Sequence, residues 1–490
     1  MKFKTRQAAS LLLLTVLLCG TVAACSDDIH TQTPIQTDHT VSFAATEATE
    51  EIPYAFAQSE LDFGGYKFRV FTETPADVDV HKEDLVAGDI VSEAVYDRNQ
   101  RVEELLNIEI DSILFQAVDW EDVPAEIMKS VMAGDDAYDA VDFPVISLFR
   151  ASSESNLLAL DEIGTLDTSA PWWDQSVFEA FDFGNGKVYM MNGGINFHDD
   201  YGLSCLAANV DLMARNEMTL PYDAVREGVW DYEMFYGYMK GFEQDLNGDG
   251  TWDADDQYGG VFDVDLSTYL CSAFDTPPIQ KDSQGRPEFR LDEKFYDSFS
   301  KVVDVLCNDP AVVIKERQFG YEIGGAIFGK GNTLFVSAMV FEIQDMRDAS
   351  FTYTVLPMPK YDENQESYKN IAVHYYTFAY SVPITNSDTD RTGYILDAMG
   401  YFGDKIIRPA AIEKQCKIKG APDQDTVDMM NIIFDSKAYD LAYITAWGNW
   451  YQAMWSFVSS GKNNLASKET AFSKRVARDI AKSLEAFGIE

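Results

Sequence analysis

Between Tyr66 and Phe143 the chain alternates strand and helix signals, and that alternation limits its fold more than any other feature. Tyr66–Phe71 reads as a short strand, and Asp89–Leu106 as a helix with Val91, Val95, Val102, Leu105 and Leu106 on its apolar face. Ile108–Ile110 follows as a strand, Pro124–Met132 as a helix, and Tyr138–Phe143 as a strand running into Pro144. This order predicts an α/β layer with a mostly parallel sheet; a helical bundle or a sandwich fits it poorly. Strand patterns return at Gly331–Val336, Phe351–Leu356 and Thr377–Val382, then helical ones at Asp388–Phe402 and Ala466–Phe487. The late return suits either two consecutive domains or two lobes between which the chain crosses more than once. No fixed-period repeat points to a solenoid or propeller.

The N-terminus carries a different kind of information. Lys2, Lys4 and Arg6 precede an apolar run from Ala8 to Leu18, and Val22-Ala23-Ala24-Cys25 closes it. A basic head, a short apolar core and small residues before a cut are the parts of a secretory signal. With Cys directly after the small residues, the end resembles a bacterial lipobox, which implies cleavage after residue 24 and a lipid on Cys25. The run is short for a membrane-spanning helix. Residues 25–60 are rich in Thr, Ala, Gln, Asp and Glu, a composition that cannot offset its own ordering entropy, so they read as a tether. The expected location is the outer face of the cytoplasmic membrane.

Composition excludes several function classes. The formal charge is −43, which repels nucleic acid and anionic head groups. Cys205, Cys271, Cys307 and Cys416 are dispersed, without metal-site spacing or the density of a disulfide scaffold, and their pairing stays open. The histidines form no HExxH motif, so a zinc enzyme is not expected. No GxSxG element or His-centred constellation marks a hydrolase.

Five stretches together resemble the extracellular solute-binding lipoproteins of bacterial ABC importers, in the sugar-binding group (family 1). They are the lipobox with its tether; Tyr96–Glu104 (YDRNQRVEE) followed by Ile108–Ile110; Pro171–Asp174 (PWWD) with Gly186–Gly193 (GKVYMMNG); Val229–Gly259; and Leu356–Lys360 (LPMPK). The resemblance implies a two-lobed, periplasmic-binding-protein-like α/β fold of type II, with discontinuous lobes, a hinge and an interlobe cleft. The boundaries expected from it are 61–175 for the first part of lobe 1, 176–355 for lobe 2, 356–425 for the return to lobe 1, and 426–490 for the C-terminal helices of lobe 2. It also implies a monomer that passes ligand to a membrane permease and catalyses nothing.

An oligosaccharide is the expected ligand, since sugar rings need flat aromatics for their faces and carboxylates or amides for their edges. Candidate ligand residues are Trp172 and Trp173, adjacent behind Pro171; Trp447, which on a helix would share a face with Tyr451; and Tyr375 and Tyr376 before a strand. Glu73 and Asp142, at the ends of the first and third strands, and Glu342 after Phe341 complete the set, because ligands of open parallel sheets bind beyond the carboxyl ends of strands. Asp245, Asn247, Asp249, Thr251, Asp253 and Asp256 have the 1-3-5-7-9-12 spacing of a structural Ca²⁺ loop, with Gly250 at the turn. Asp256 replaces the usual Glu there, and an Asx-bonded turn without metal is the alternative. A binder of a peptide or other solute, a secreted carbohydrate-active enzyme and a surface adhesion module are the competing readings.

Overall fold

The computed structural model describes residues 61–73, 80, 89–320, 327–416 and 424–489. The signal, Cys25 and the tether lie outside the described residues.

The expected alternation opens the body: β1 (Tyr66–Thr72), α1 (Ile90–Leu106), β2 (Ile108–Leu114), α2 (Asp122–Ala133), β3 (Ala140–Pro144) and α3 (Val145–Ser153). Asp89 starts α1 by accepting the N–H groups of Val91 and Ser92 at 3.0 Å, and Asn107 ends it in the left-handed region at φ 49°. The stretch Tyr96–Glu104 is structural: the buried Arg98 donates to the Ile195 carbonyl at 2.9 Å, and Asn99 to that of Val80 at 2.8 Å.

Further along come β4 (Ser204–Asn209), β5 (Tyr258–Phe262), α4 (Val264–Ala273), β6 (Val312–Ile314), β7 (Thr333–Met339), β8 (Tyr353–Leu356), β9 (Phe378–Ser381), α5 (Thr389–Cys416), α6 (Trp450–Ser460) and α7 (Leu465–Ala486). Two sheets result. The first has the order β9-β3-β1-β2, with β1, β2 and β3 parallel and β9 antiparallel to β3. The second has the order β8-β4-β7-β5-β6, with β5, β6 and β7 parallel and β4 antiparallel to both β7 and β8. Each sheet thus has a parallel triplet flanked by one antiparallel strand that arrives from the other lobe. This is the discontinuous two-lobed α/β architecture.

The lobes change later in the chain than the motifs suggest. Residues 176–195, expected in lobe 2, stay with lobe 1: Met191 pairs with Tyr380, and Met191 and Ile195 share a core with Phe68, Val70 and Met399. Residues 356–371, expected back in lobe 1, stay with lobe 2, where Trp230 donates to the Pro357 carbonyl at 3.0 Å and Tyr368 to that of Val225 at 3.0 Å. The LPMPK stretch is therefore a loop of lobe 2 rather than a crossing point. From Gln424 onward the chain packs on lobe 2 again at Thr426 against Thr354 and Trp450 against Phe295, while Trp447 and Phe487 meet Phe149 of lobe 1.

Candidate functional site

The strand register shows which ends of the sheets face each other. The first crossing enters lobe 2 at Ser204, which pairs with Met339, the last residue of β7. The second enters lobe 1 at Phe378, which pairs with Pro144, the last residue of β3. Both crossings therefore sit at the carboxyl ends of the parallel strands, so the two sets of carboxyl ends confront each other across the hinge. Backbone bonds fix the junction: Phe341 N–H to the Tyr201 carbonyl at 3.1 Å, and Val145 N–H to that of Thr377 at 2.9 Å. In open α/β sheets this is where ligands bind.

On the lobe 2 side, Asp263 and Asp265 follow β5, Lys315 and Glu316 follow β6, and Phe341 and Glu342 follow β7. His374, Tyr375 and Tyr376 come from the second crossing and Tyr451 from α6. Asp265 accepts the Tyr451 hydroxyl at 2.8 Å, and the Tyr375 hydroxyl lies at 3.5 Å. Burial raises its carboxyl to about pKa 6; the Tyr451 bond opposes the rise, and Asp263 and Glu316 add to it. His374 bonds Tyr269 through Nδ1 at 2.6 Å, is held neutral by burial, and stands edge-on to Tyr375 and Tyr451 at 5.1 and 4.8 Å. Tyr376 lies flat on Phe341 at 4.1 Å. Tyr375 is 39% exposed, the most open aromatic of the group.

Of the expected ligand residues, Glu342, Tyr375 and Tyr376 meet on this wall. Glu73 is at the carboxyl end of β1 in lobe 1, where burial raises its pKa and the Ala117 N–H donates to it at 3.3 Å. The remaining four are placed elsewhere. Asp142 is inside β3, fully buried beside Thr72 and paired across the sheet with Tyr380. Trp173 is in the lobe 1 core, and Trp172 donates to Asp397 at 2.9 Å while packing edge-on to Tyr401, because both indoles close over Gly400 of α5. Trp447 is buried and donates to Ser483 at 3.0 Å. It does not share a helix with Tyr451, since Ala446, Gly448 and Asn449 all have positive φ and α6 starts at Trp450.

Trp447 nonetheless borders a cavity of about 170 Å³ where α3 meets the C-terminal segment, together with Trp120, Ile146, Phe149 and Thr445. Trp120 and Ile146 follow the carboxyl ends of β2 and β3. Asp265 and Trp120 were not among the expected residues, and Tyr451 entered only as the helix-face neighbour of Trp447. The signal for Asp265 was available, since an aspartate pair directly follows the apolar strand Tyr258–Phe262.

The loop at Asp245–Asp256 is tied to its own backbone. Asp245 accepts the N–H groups of Gly248 and Gly250 at 2.7 and 2.8 Å, Asn247 that of Asp249 at 2.9 Å, and Asp249 that of Thr251 at 2.7 Å. Asp256 accepts from Leu246 and Asp253 at 3.0 and 2.9 Å. Among the described residues no three His, Cys, Asp or Glu side chains converge as a metal shell. Cys205, Cys271 and Cys307 are buried free thiols.

No protein-family model and no curated protein matches the chain. Solved structures do match. A cyclo/maltodextrin-binding protein complexed with maltotetraose is 12% identical, with 85% of this chain and 97% of that chain covered at a TM-score of 0.55. An ABC substrate-binding protein from Listeria monocytogenes in complex with cycloalternan is 11% identical, covers 87% and 100%, and scores 0.53. The GacH receptor of Streptomyces glaucescens, solved unliganded and with acarbose, is 11% identical, covers 86% and 98%, and scores 0.52. Independently of the register argument, these superpositions show that the chain has the two-lobed fold of ABC substrate-binding proteins.

Proposed function

We propose that this protein captures an oligosaccharide in the interlobe cleft and delivers it to the permease of an ABC importer, without chemical turnover. The observation that carries the reading is the confrontation of two sets of strand carboxyl ends, with phenol rings and carboxylates on the lobe 2 side. Rings of that kind cover the apolar faces of a sugar, and Asp265 with Tyr375 and Tyr451 offers the acceptors and donors that its hydroxyl edges need. The resemblance to sugar-binding lipoproteins, and the sugars named for the three solved structures, point the same way.

Cleavage after residue 24 and a lipid on Cys25 would hold the protein on the outer face of the membrane, as a monomer on a tether. Globomycin-sensitive processing and release of a Cys25→Ala variant into the medium test the anchor. The Asp245–Asp256 loop keeps the ligand spacing of a structural Ca²⁺ site and is the place where calcium would act.

A ligand that binds the native state alone raises its apparent stability. Thermal unfolding of the purified protein against oligosaccharides of varied linkage should give a saturable rise with one class and no product formation. A rise with peptides and with no glycan would reject the sugar; product formation would reject the binding-only role.

A further inference from the structure

Carboxylates at the strand ends of lobe 2 are not equivalent. Asp263 caps α4 by accepting the Leu266 N–H at 2.6 Å, Glu316 accepts that of Val264 at 3.0 Å, and Glu342 that of Met339 at 2.7 Å. Those three hold the loops of the wall in shape. Asp265, in the first turn of α4, is instead gripped by the phenols of Tyr451 and Tyr375, the second of them at the open surface.

Cations are few on this wall. Lys315 is buried 3.8 Å from Asp263, and Arg317 turns away to the Cys307 carbonyl at 2.9 Å and to Asn308. Lys315 serves Asp263 and Glu316, and among the described residues Asp265 forms no ion pair. A half-buried carboxylate held by hydroxyl donors, without a cation, leaves its charge to be balanced by whatever enters the cleft.

We infer that the cleft prefers a saccharide bearing an ammonium group, with Asp265 as the residue that receives it; this rests on the saccharide reading above. An ammonium donor gains a charge-assisted hydrogen bond that a neutral hydroxyl cannot match. A carboxylate at the same ligand position meets the four acids and is repelled. The groups acting on Asp265 are Asp263 and Glu316 from the strand ends, Tyr269 from α4, Tyr375 from the crossing, Tyr451 from α6 and Tyr443 from the C-terminal segment. Burial raises Asp265 to about pKa 6, so the preference should fade as pH falls through that value.

The test uses one oligosaccharide in three forms, with the primary C6 carbon of one ring as alcohol, amine or carboxylate, titrated calorimetrically into the full protein in the linkage that the thermal screen selects. The amine form should bind about tenfold more tightly than the alcohol at pH 7.5, and the carboxylate at least tenfold more weakly. Asp265→Asn should bring amine and alcohol within about twofold; Tyr375→Phe, which leaves the carboxylate in place, should keep the amine preference. Equal binding of alcohol and amine, or a preference that survives in Asp265→Asn, overturns the inference and leaves the sugar reading standing. If no form binds in any linkage, the sugar reading falls and the inference falls with it.

Discussion

Asp397 offers a sharp test of how burial acts in this protein. It is in α5, 2% exposed, with the Trp172 indole 2.9 Å from one oxygen. Burial raises its carboxyl from 3.8 to about pKa 7, more than the Trp172 bond can oppose. The folded state therefore holds this proton more tightly than the unfolded chain does. The resulting stability is complete below about pH 4 and is lost as pH rises through about 7. At about 1.36 kcal/mol per pKa unit, the full span is worth up to about 4 kcal/mol. Asparagine fills the same space, can accept the indole N–H, and never ionises. The stability of Asp397→Asn minus that of the wild type should thus be about 1 kcal/mol at pH 4.5 and rise to about 4 kcal/mol by pH 8.5. Urea unfolding of both proteins at matched pH reads the difference directly, and pairwise comparison cancels Asp199, Asp265 and Asp440, which burial shifts the same way. Parallel stability curves for the two proteins would refute the argument.

Lys437 is held by Asp174, Asp199 and Asp200 at 3.2, 2.7 and 2.7 Å, so Lys437→Met should leave the buried Asp199 and Asp200 and the half-buried Asp174 without their lysine and cost about 3–5 kcal/mol in urea unfolding. Gly403 has the Gly194 carbonyl 1.8 Å from where a Cβ would stand, so Gly403→Ala should push α5 off the 193–195 segment and lower stability by about 1–3 kcal/mol, visible as a depressed melting temperature. If Asp245–Asp256 takes calcium, 1 mM Ca²⁺ should raise the melting temperature over a chelator control and Asp245→Asn with Asp249→Asn should abolish the rise; identical curves would leave a metal-free Asx turn.

Periodicity carried the fold a long way because the elements that build each lobe are local. The alternation from Tyr66 to Phe143 became β1 through β3 with their crossover helices, since apolar spacing and caps such as Asp89 act within a few residues. The lobe boundaries were less legible. Whether residues 176–195 belong with β1 depends on Met191 pairing with Tyr380, 189 positions away, and no local pattern encodes a partner at that distance. The tryptophans misled for a related reason. Adjacent indoles cannot point the same way from an extended chain, but Gly400 lets α5 approach closely enough for both to be covered. An indole's suitability for stacking on sugar says nothing of whether a helix already occupies its face.

The carboxylates point to a stricter criterion for reading such a chain. Among 81 acidic residues, Asp89, Asp174, Asp231, Asp263, Asp292 and Asp440 each cap a helix N-terminus by accepting backbone N–H groups. Asp139 is likewise committed, to Arg69 and Tyr66. Each of the six capping charges has a structural reason that a sequence can suggest, since an Asp stands just before a helical run. Asp265 breaks the pattern: it falls inside the first turn of α4, two residues after the cap, where the helix needs no further side-chain acceptor. A carboxylate placed beyond local need, at a strand end and between two phenols, is the one most open to selection by what binds. The useful question for each acid is therefore which backbone amide it serves, and the acids that serve none are where the search for ligand contacts should begin.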